Sequence, residues 1–174
     1  LSENPYWAAT VLEAGQKKLV EQKDEETEEV TMVRVVKDTE KNLKLLADSW
    51  RMAQEIDRAI PILERVSKMS KDGKSYVLLG NLYLSEDKIT QAIDAIEKGI
   101  KKGGLKNTSQ VYMALGQAHF ENQSFETAKK QFRIAARSKD EKIKKAANNW
   151  LKYTENEEVR VKNLALRRDF IQNS

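Results

Sequence analysis

One frame of small and large residues recurs three times, and it limits what this chain can fold into more than any other feature. At the centre it reads Tyr76, Leu79, Gly80 and Tyr83, followed by Ala92 and Ile96. Downstream the same places hold Tyr112, Leu115, Gly116, His119, Ala128 and Phe132, and upstream Leu43, Leu46, Ala47, Trp50, Ala59 and Leu63. The first-helix anchors Leu43, Tyr76 and Tyr112 are 33 and 36 residues apart, and the second-helix anchors Ala59, Ala92 and Ala128 repeat those offsets. A fixed period of this length marks stacked helix pairs. Residues three and four apart share a helix face, so Leu79, Gly80 and Tyr83 face one way. Gly80 and Gly116 admit a close second helix, Ala92 and Ala128 do the same from the other side, and Ile96 and Phe132 fill against the next pair. One pair cannot bury its apolar face alone, so pairs stack.

The 174 residues make one domain's worth of chain, long enough to bury roughly 70% of its unfolded surface. Net charge is +4, but the 31 basic and 27 acidic residues are interspersed, which describes a solvated surface more than a nucleic-acid footprint. With no cysteine there are no disulfides or thiolate metal sites. No apolar run approaches the roughly 18 residues of a membrane span, so no direct membrane insertion is expected.

In chain order, residues 1–22 read as the second helix of a truncated repeat, helical over 5–22 with Pro5 in its first turn. Ala8, Leu12 and Gly15 match Ala92, Ile96 and Gly99, so the chain opens in mid-motif and reads as a piece of a longer protein. Trp7, Val11 and Leu12 then lack a neighbour, which motivates a homodimer with Trp7 and Val11 packed across chains. Residues 23–39 form an insert or linker, about 15 residues beyond the repeat spacing. It begins acidic (Asp24, Glu25, Glu26, Glu28, Glu29) and turns β-branched (Val30, Thr31, Val33, Val35, Val36). Valines favour a strand, yet no other stretch offers itself as a partner, so a short helix or irregular segment is expected.

Residues 40–137 hold three repeats, approximately 40–72, 73–108 and 109–139. Their helices are expected near 40–52 and 55–69, 73–85 and 88–102, and 108–121 and 124–137. Pro61 inside the second helix should kink it. Gly73 and Gly103-Gly104 are helix stops, and Thr108 or Ser109, then Ser124, suit N-caps. Residues 140–174 are a capping helix and tail: Ile143, Ala146, Ala147, Trp150 and Leu151 line one side of a helix over 140–153, Lys142, Lys144, Lys145 and Lys152 the other, and residues 156–169 form a last helix or fray.

The repeated frame resembles the tetratricopeptide repeat (TPR) family over about residues 40–137, or 8–153 with the half-repeat and cap. The resemblance implies an all-α, right-handed superhelical solenoid of helix-turn-helix repeats with a C-terminal capping helix, and a non-catalytic protein-binding scaffold. Four stretches, residues 41–48, 59–61, 102–107 and 146–153, are similar to the periplasmic TPR protein encoded beside TonB–ExbB–ExbD genes. This narrower resemblance implies an accessory role in TonB-dependent iron-siderophore transport in the periplasm, with TonB, ExbB or ExbD as partners. A general assembly or chaperone-like adaptor of envelope or cytosol is the alternative; an RNA-binding helical repeat fits less well, given Asp48 and the balanced charge.

Such repeats bind segments in the groove lined by first helices. On this frame the groove residues are Lys41, Lys44, Asp48 and Arg51 in repeat one, Lys74, Val77, Asn81 and Leu84 in repeat two, and Gln110, Met113, Gln117 and Phe120 in repeat three. An acidic or amphipathic segment is the expected ligand, with Met113 and Phe120 as anchors. The chaperone-type clamp on a C-terminal carboxylate needs a Lys and an Asn one turn apart; Lys44 is followed by Asp48 and Asn81 is preceded by Val77, so no such clamp is expected. His119 stands where an aromatic closes a first helix and reads as packing; without a second His or a Cys, a transition-metal site has little to build on. No catalytic constellation stands out, and no metal or cofactor is implied.

Overall fold

The computed structural model describes residues 4–24 and 26–173; Glu25, one of the acids assigned to the insert, lies outside them. The elements run α1 (Pro5–Lys17), β1 (Leu19–Lys23), β2 (Val30–Arg34), α2 (Glu40–Met52), α3 (Ile56–Met69), α4 (Lys74–Ser85), α5 (Ile89–Lys102), α6 (Thr108–Glu121), α7 (Phe125–Ala135) and α8 (Glu141–Gln172). The fold is all-α apart from one small hairpin. It divides into two compact units, with the boundary between Lys71 and Asp72.

In the first unit, Asn4 caps α1 by accepting from the Trp7 N–H at 3.0 Å, and Pro5 occupies the first turn. α2 buries Leu43, Leu46, Ala47 and Trp50, the stripe that its 3.6-residue period predicts. Trp50 is fully buried, with Tyr6 of α1 edge-on at 5.4 Å and the Arg58 guanidinium of α3 over its ring at 4.6 Å. α3 runs on through Pro61, which lies on its exposed side.

The segment between α1 and α2 departs from the sequence reading. α1 ends at Lys17, because Lys18 is extended, and the residues assigned to its last turn form β1 instead. β1 pairs antiparallel with β2, Val20 opposite Val33 and Glu21 opposite Met32. The valines of the insert therefore do have a strand partner, just upstream of the insert itself. The hairpin base is pinned to the helix: Val36 N–H donates to Gly15 O at 3.0 Å, and Asp38 receives Arg34 at 2.7 Å and Arg65 of α3 at 2.6 Å.

In the second unit α4 packs on α5, α5 on α6, α6 on α7, and α7 on α8. A Cβ on Gly80 would strike Ile96, and one on Gly116 would strike the Phe132 ring, which is why these first helices carry glycine where the second helix crosses. Ile96, Val111 and Leu115 form a buried core, flanked by Val77, Leu84, Ile93, Ile100, Leu105 and Ala114.

Each helix pair turns by the same device. Gln54, Asp87 and Gln123 hold φ of 62°, 54° and 56°, and they too are spaced by 33 and 36 residues. The residue after each donates its N–H back to Trp50 O, Tyr83 O and His119 O at 2.9, 2.9 and 2.8 Å. This closes the end of the first helix with a left-handed residue, as at helix C-termini generally, but with Gln or Asp where glycine is usual.

α8 is one continuous helix from Glu141 to Gln172, not a cap over 140–153 with a separate helix or frayed tail. Neither Gly nor Pro interrupts residues 153–156, and Thr154 is fully buried with its hydroxyl donating to Trp150 O at 2.7 Å. Lys129 of α7 anchors the helix. It is nearly buried and reaches Glu126 and Glu158 at 2.7 Å each. Lys129 and Lys162 hold the Glu158 carboxyl down at about 2. At the other boundaries, Asn107, not Thr108 or Ser109, occupies the N-cap of α6, and the Ser124 hydroxyl at the α7 N-cap makes no capping bond.

Candidate functional site

The second unit contains an open cavity of about 300 Å³ between α4 and α6, closed below by the linker that joins α5 to α6. Its apolar floor is Val77, Leu105, Val111 and Ala114, and its rim is Lys74, Asn81, Lys106, Asn107 and Gln110. The linker is shaped by its glycines. Gly103 and Gly104 have φ of 77° and 71°, a region that side chains disfavour, and Gly73 N–H donates to Gly103 O at 2.7 Å. A Cβ on Gly104 would meet Asp72. The double glycine thus lays the linker against the start of α4, and Leu105 turns into the floor.

The rim is polar and partly committed. Asp72 accepts from the Lys74 backbone N–H at 3.0 Å and from Lys74 Nζ at 2.6 Å, so that ammonium is held at the mouth. Asn107 Nδ2 donates to Gln110 Oε1 at 3.3 Å, setting the orientation of both amides. Lys106 and Asn81 are exposed. A short apolar floor under amides and two lysines suits an inserted aliphatic side chain with peptide groups and a carboxylate around it.

Of the twelve groove residues expected from sequence, Lys74, Val77, Asn81 and Gln110 come together here. Leu84 packs on the Ile96 core, outside the cavity walls. Met113 and Gln117 are half-buried on α6 and do not line the cavity either. Phe120 is half-buried in an aromatic cluster, 5.7 Å from Phe125, 5.5 Å from Trp150 and 5.3 Å from Tyr153. As an anchor it is already occupied, because α8 lies over it. Lys41, Lys44, Asp48 and Arg51 lie on α2 in the first unit, the lysines exposed and Arg51 3.5 Å from Asp48.

Sequence reasoning missed Leu105, Lys106 and Asn107, since a linker lies outside any helical period. The signal available is Gly103-Gly104, which the sequence presents as a helix stop and as the linker that lengthens the second period. Val111 and Ala114 were missed because a first helix shows the groove two adjoining stripes.

His119 is buried, and neither ring nitrogen has a hydrogen-bond partner; Glu97 Oε1 stands 3.8 Å away. Burial pushes its pKa below the usual 6.5, and Glu97 opposes this only in part. Among the described residues no group of three or more His, Cys, Asp or Glu could hold a metal ion, and no helix is long and apolar enough to cross a membrane.

Residues 73–101, which are α4 and most of α5, match the tetratricopeptide repeat family model. The chain is 29% identical over 108 residues to the protein CTR9 homolog of Arabidopsis thaliana; the match takes in 60% of this chain and spans 10% of that protein. Among solved structures, a chain of a T3SS complex from Aeromonas hydrophila superposes with a TM-score of 0.59 at 19% identity, over 71% of this chain and 85% of that one. The TPR2B domain of yeast Sti1, in its complex with pHsp70, gives 0.58 at 13% identity over 68% and 97%. The Arabidopsis OM64 TPR domain gives 0.55 at 16% over 67% and 94%. These likenesses show the fold, a solenoid of tetratricopeptide helix pairs.

Proposed function

We propose that this chain is a non-catalytic protein-interaction scaffold whose groove between α4 and α6 receives an acidic or amphipathic segment of another protein. The observation that carries the reading is the cavity itself: Val77, Leu105, Val111 and Ala114 form an open apolar floor beneath Lys74, Lys106, Asn81, Asn107 and Gln110. The floor accepts an apolar side chain, the amides bond an extended backbone, and the lysines favour acidic neighbours on the ligand.

The partners proposed are TonB, ExbB or ExbD, in the periplasm, with the chain as an accessory of TonB-dependent iron-siderophore transport. The support is the similarity of residues 41–48, 59–61, 102–107 and 146–153 to the TPR protein encoded beside those genes. One of these stretches, 102–107, contains the linker that builds the cavity. The other reading is a general adaptor for a different assembly. It draws on the A. thaliana CTR9 homolog and on structural neighbours whose own names describe complexes with other proteins. A dimer through the exposed Trp7 and Val11 of α1 is a separate proposal for the same chain.

Affinity capture of purified TonB, ExbB and ExbD, with the chain and with Lys106→Glu, Gln110→Glu as baits, tests this. The scaffold reading expects capture by the chain and at least about ten-fold weaker capture by the variant, since a rim charge opposes the ligand's own. Capture of none of the three removes the transport context. Equal capture by both baits removes the groove.

A further inference from the structure

The hairpin has two edges, and they differ. Val35 N–H donates to Lys18 O at 3.0 Å and Asp24 N–H to Glu29 O at 2.8 Å. With the register between them, these bonds fix the ladder: Lys18, Val20, Gln22 and Asp24 bond inward to Val35, Val33, Thr31 and Glu29. The N–H and C=O groups of Val30, Met32 and Arg34 therefore point outward along the free edge of β2, and those of Leu19, Glu21 and Lys23 along β1. The β1 edge is blunted by charge, with Glu21 and Lys23 inside the strand and Lys18 and Asp24 at its ends. β2 has no charge from Val30 to Val33, and its one cation, Arg34, is bonded to Asp38 at 2.7 Å. Val30 and Met32 are each more than half exposed. Among the described residues no third strand joins this sheet, and an isolated two-stranded hairpin is marginal in water.

Charge is also polarised along the hairpin. The tip carries Asp24, Glu26, Glu28 and Glu29 against one cation, Lys23, and the base carries Lys18, Arg34 and Lys37 against one anion, Asp38. We propose that the free edge of β2 is a homodimer seam, on which the β2 of a second copy pairs antiparallel about a two-fold axis at Met32. The pairing sets Val30 against Arg34 of the other copy and Met32 against Met32. All of these positions have outward backbone groups, so every bond in the seam has a donor and an acceptor. The same axis lays each acidic tip beside the basic base of its mate. The product is a four-stranded antiparallel sheet with the charged β1 edges outermost, a form that stops at two copies. The seam is independent of the groove, and neither proposal requires the other.

The chain has no cysteine, so Met32→Cys carries a single thiol. Facing residues of a bonded antiparallel pair have Cα atoms about 5.5 Å apart, within disulfide reach. On mild oxidation Met32→Cys should form covalent dimer at least about ten-fold faster than Glu21→Cys on the blunted edge. Sedimentation equilibrium of the unsubstituted chain should show a dimer. It should weaken about ten-fold or more in Met32→Pro, which deletes an outward N–H that the hairpin does not use. A chain that stays monomeric, equal cross-linking from both positions, or a dimer unaffected by Met32→Pro overturns the seam. The last of these would point to the exposed Trp7 and Val11 of α1 as the dimer contact.

Discussion

α1 and α5 are the same helix of the repeat in two settings. Ala8, Val11, Leu12 and Gly15 of α1 correspond to Ala92, Ala95, Ile96 and Gly99 of α5. In α5, which has its first helix α4 against it, Ala95 is 3% exposed and Ile96 0%. In α1, opposite which the described residues hold no first helix, Val11 is 53% exposed, Leu12 is half-buried and Trp7 is 68% exposed. The glycines differ in the same way: a Cβ on Gly99 would meet Val77 and Gly73, whereas one on Gly15 would meet Val36 at the base of the hairpin. The pattern of a second helix is written in its own sequence, but the stability it contributes depends on the helix opposite. The groove too is a product of context: it forms where α4 and α6, two successive first helices, are joined through the shaped linker after α5.

The largest test of this contrast is at the glycines. A Cβ on Gly73 would run into the carbonyl of Gly99, a backbone atom that cannot rotate away. Gly73→Ala should cost about 3 kcal/mol in urea unfolding, and Gly15→Ala, which meets only a valine side chain on a short hairpin, under about 1 kcal/mol. Equal losses would mean that the hairpin covers α1 as tightly as α4 covers α5. Next come the paired core positions. Ile96→Ala should destabilise by about 3 kcal/mol and Leu12→Ala by about 1 kcal/mol, since a half-buried site leaves little cavity.

A pH titration separates the two units by charge. The only histidine is His119, in the second unit. Its folded pKa is lowered by burial, so between that value and 6.5 the unfolded chain binds the extra proton. Stability of the second unit should therefore fall as pH drops below 6.5 and level off once the folded histidine also protonates. His119→Phe should remove this slope, and the same slope in the variant would refute the assignment. The smallest effect is at the shared turn. Gln54→Gly and Gln123→Gly relieve a left-handed residue and should each raise stability by up to about 1 kcal/mol, equally in both units, by thermal unfolding.

The frame of helix pairs could be read from sequence because close crossings demand small residues, and Gly80, Ala92, Gly116 and Ala128 stand where those crossings occur. The shared turn was not legible, since its left-handed residue is Gln or Asp in all three repeats, where glycine would have marked it. The hairpin escaped because Leu19 and Val20 of β1 stand seven and eight residues after Leu12, a spacing that also suits the end of an amphipathic helix. Only the extended Lys18 separates the two. α8 was divided because its apolar stripe thins after Tyr153, yet a helix held by Lys129–Glu158 and the buried Thr154 needs no further stripe there. For the site, helical periodicity found Lys74, Val77, Asn81 and Gln110 and could not find Leu105, Lys106 and Asn107, whose positions depend on two positive-φ glycines.

The proposed entry point for partners is the cavity between α4 and α6. Its most direct test is an NMR titration of the isotope-labelled chain with the periplasmic segments of TonB and ExbD. Saturable shifts are expected to cluster at Val77, Asn81, Leu105, Lys106, Asn107, Gln110 and Ala114. Saturable shifts confined to α8 or to the hairpin, with the α4–α6 cavity unmoved, would contradict it.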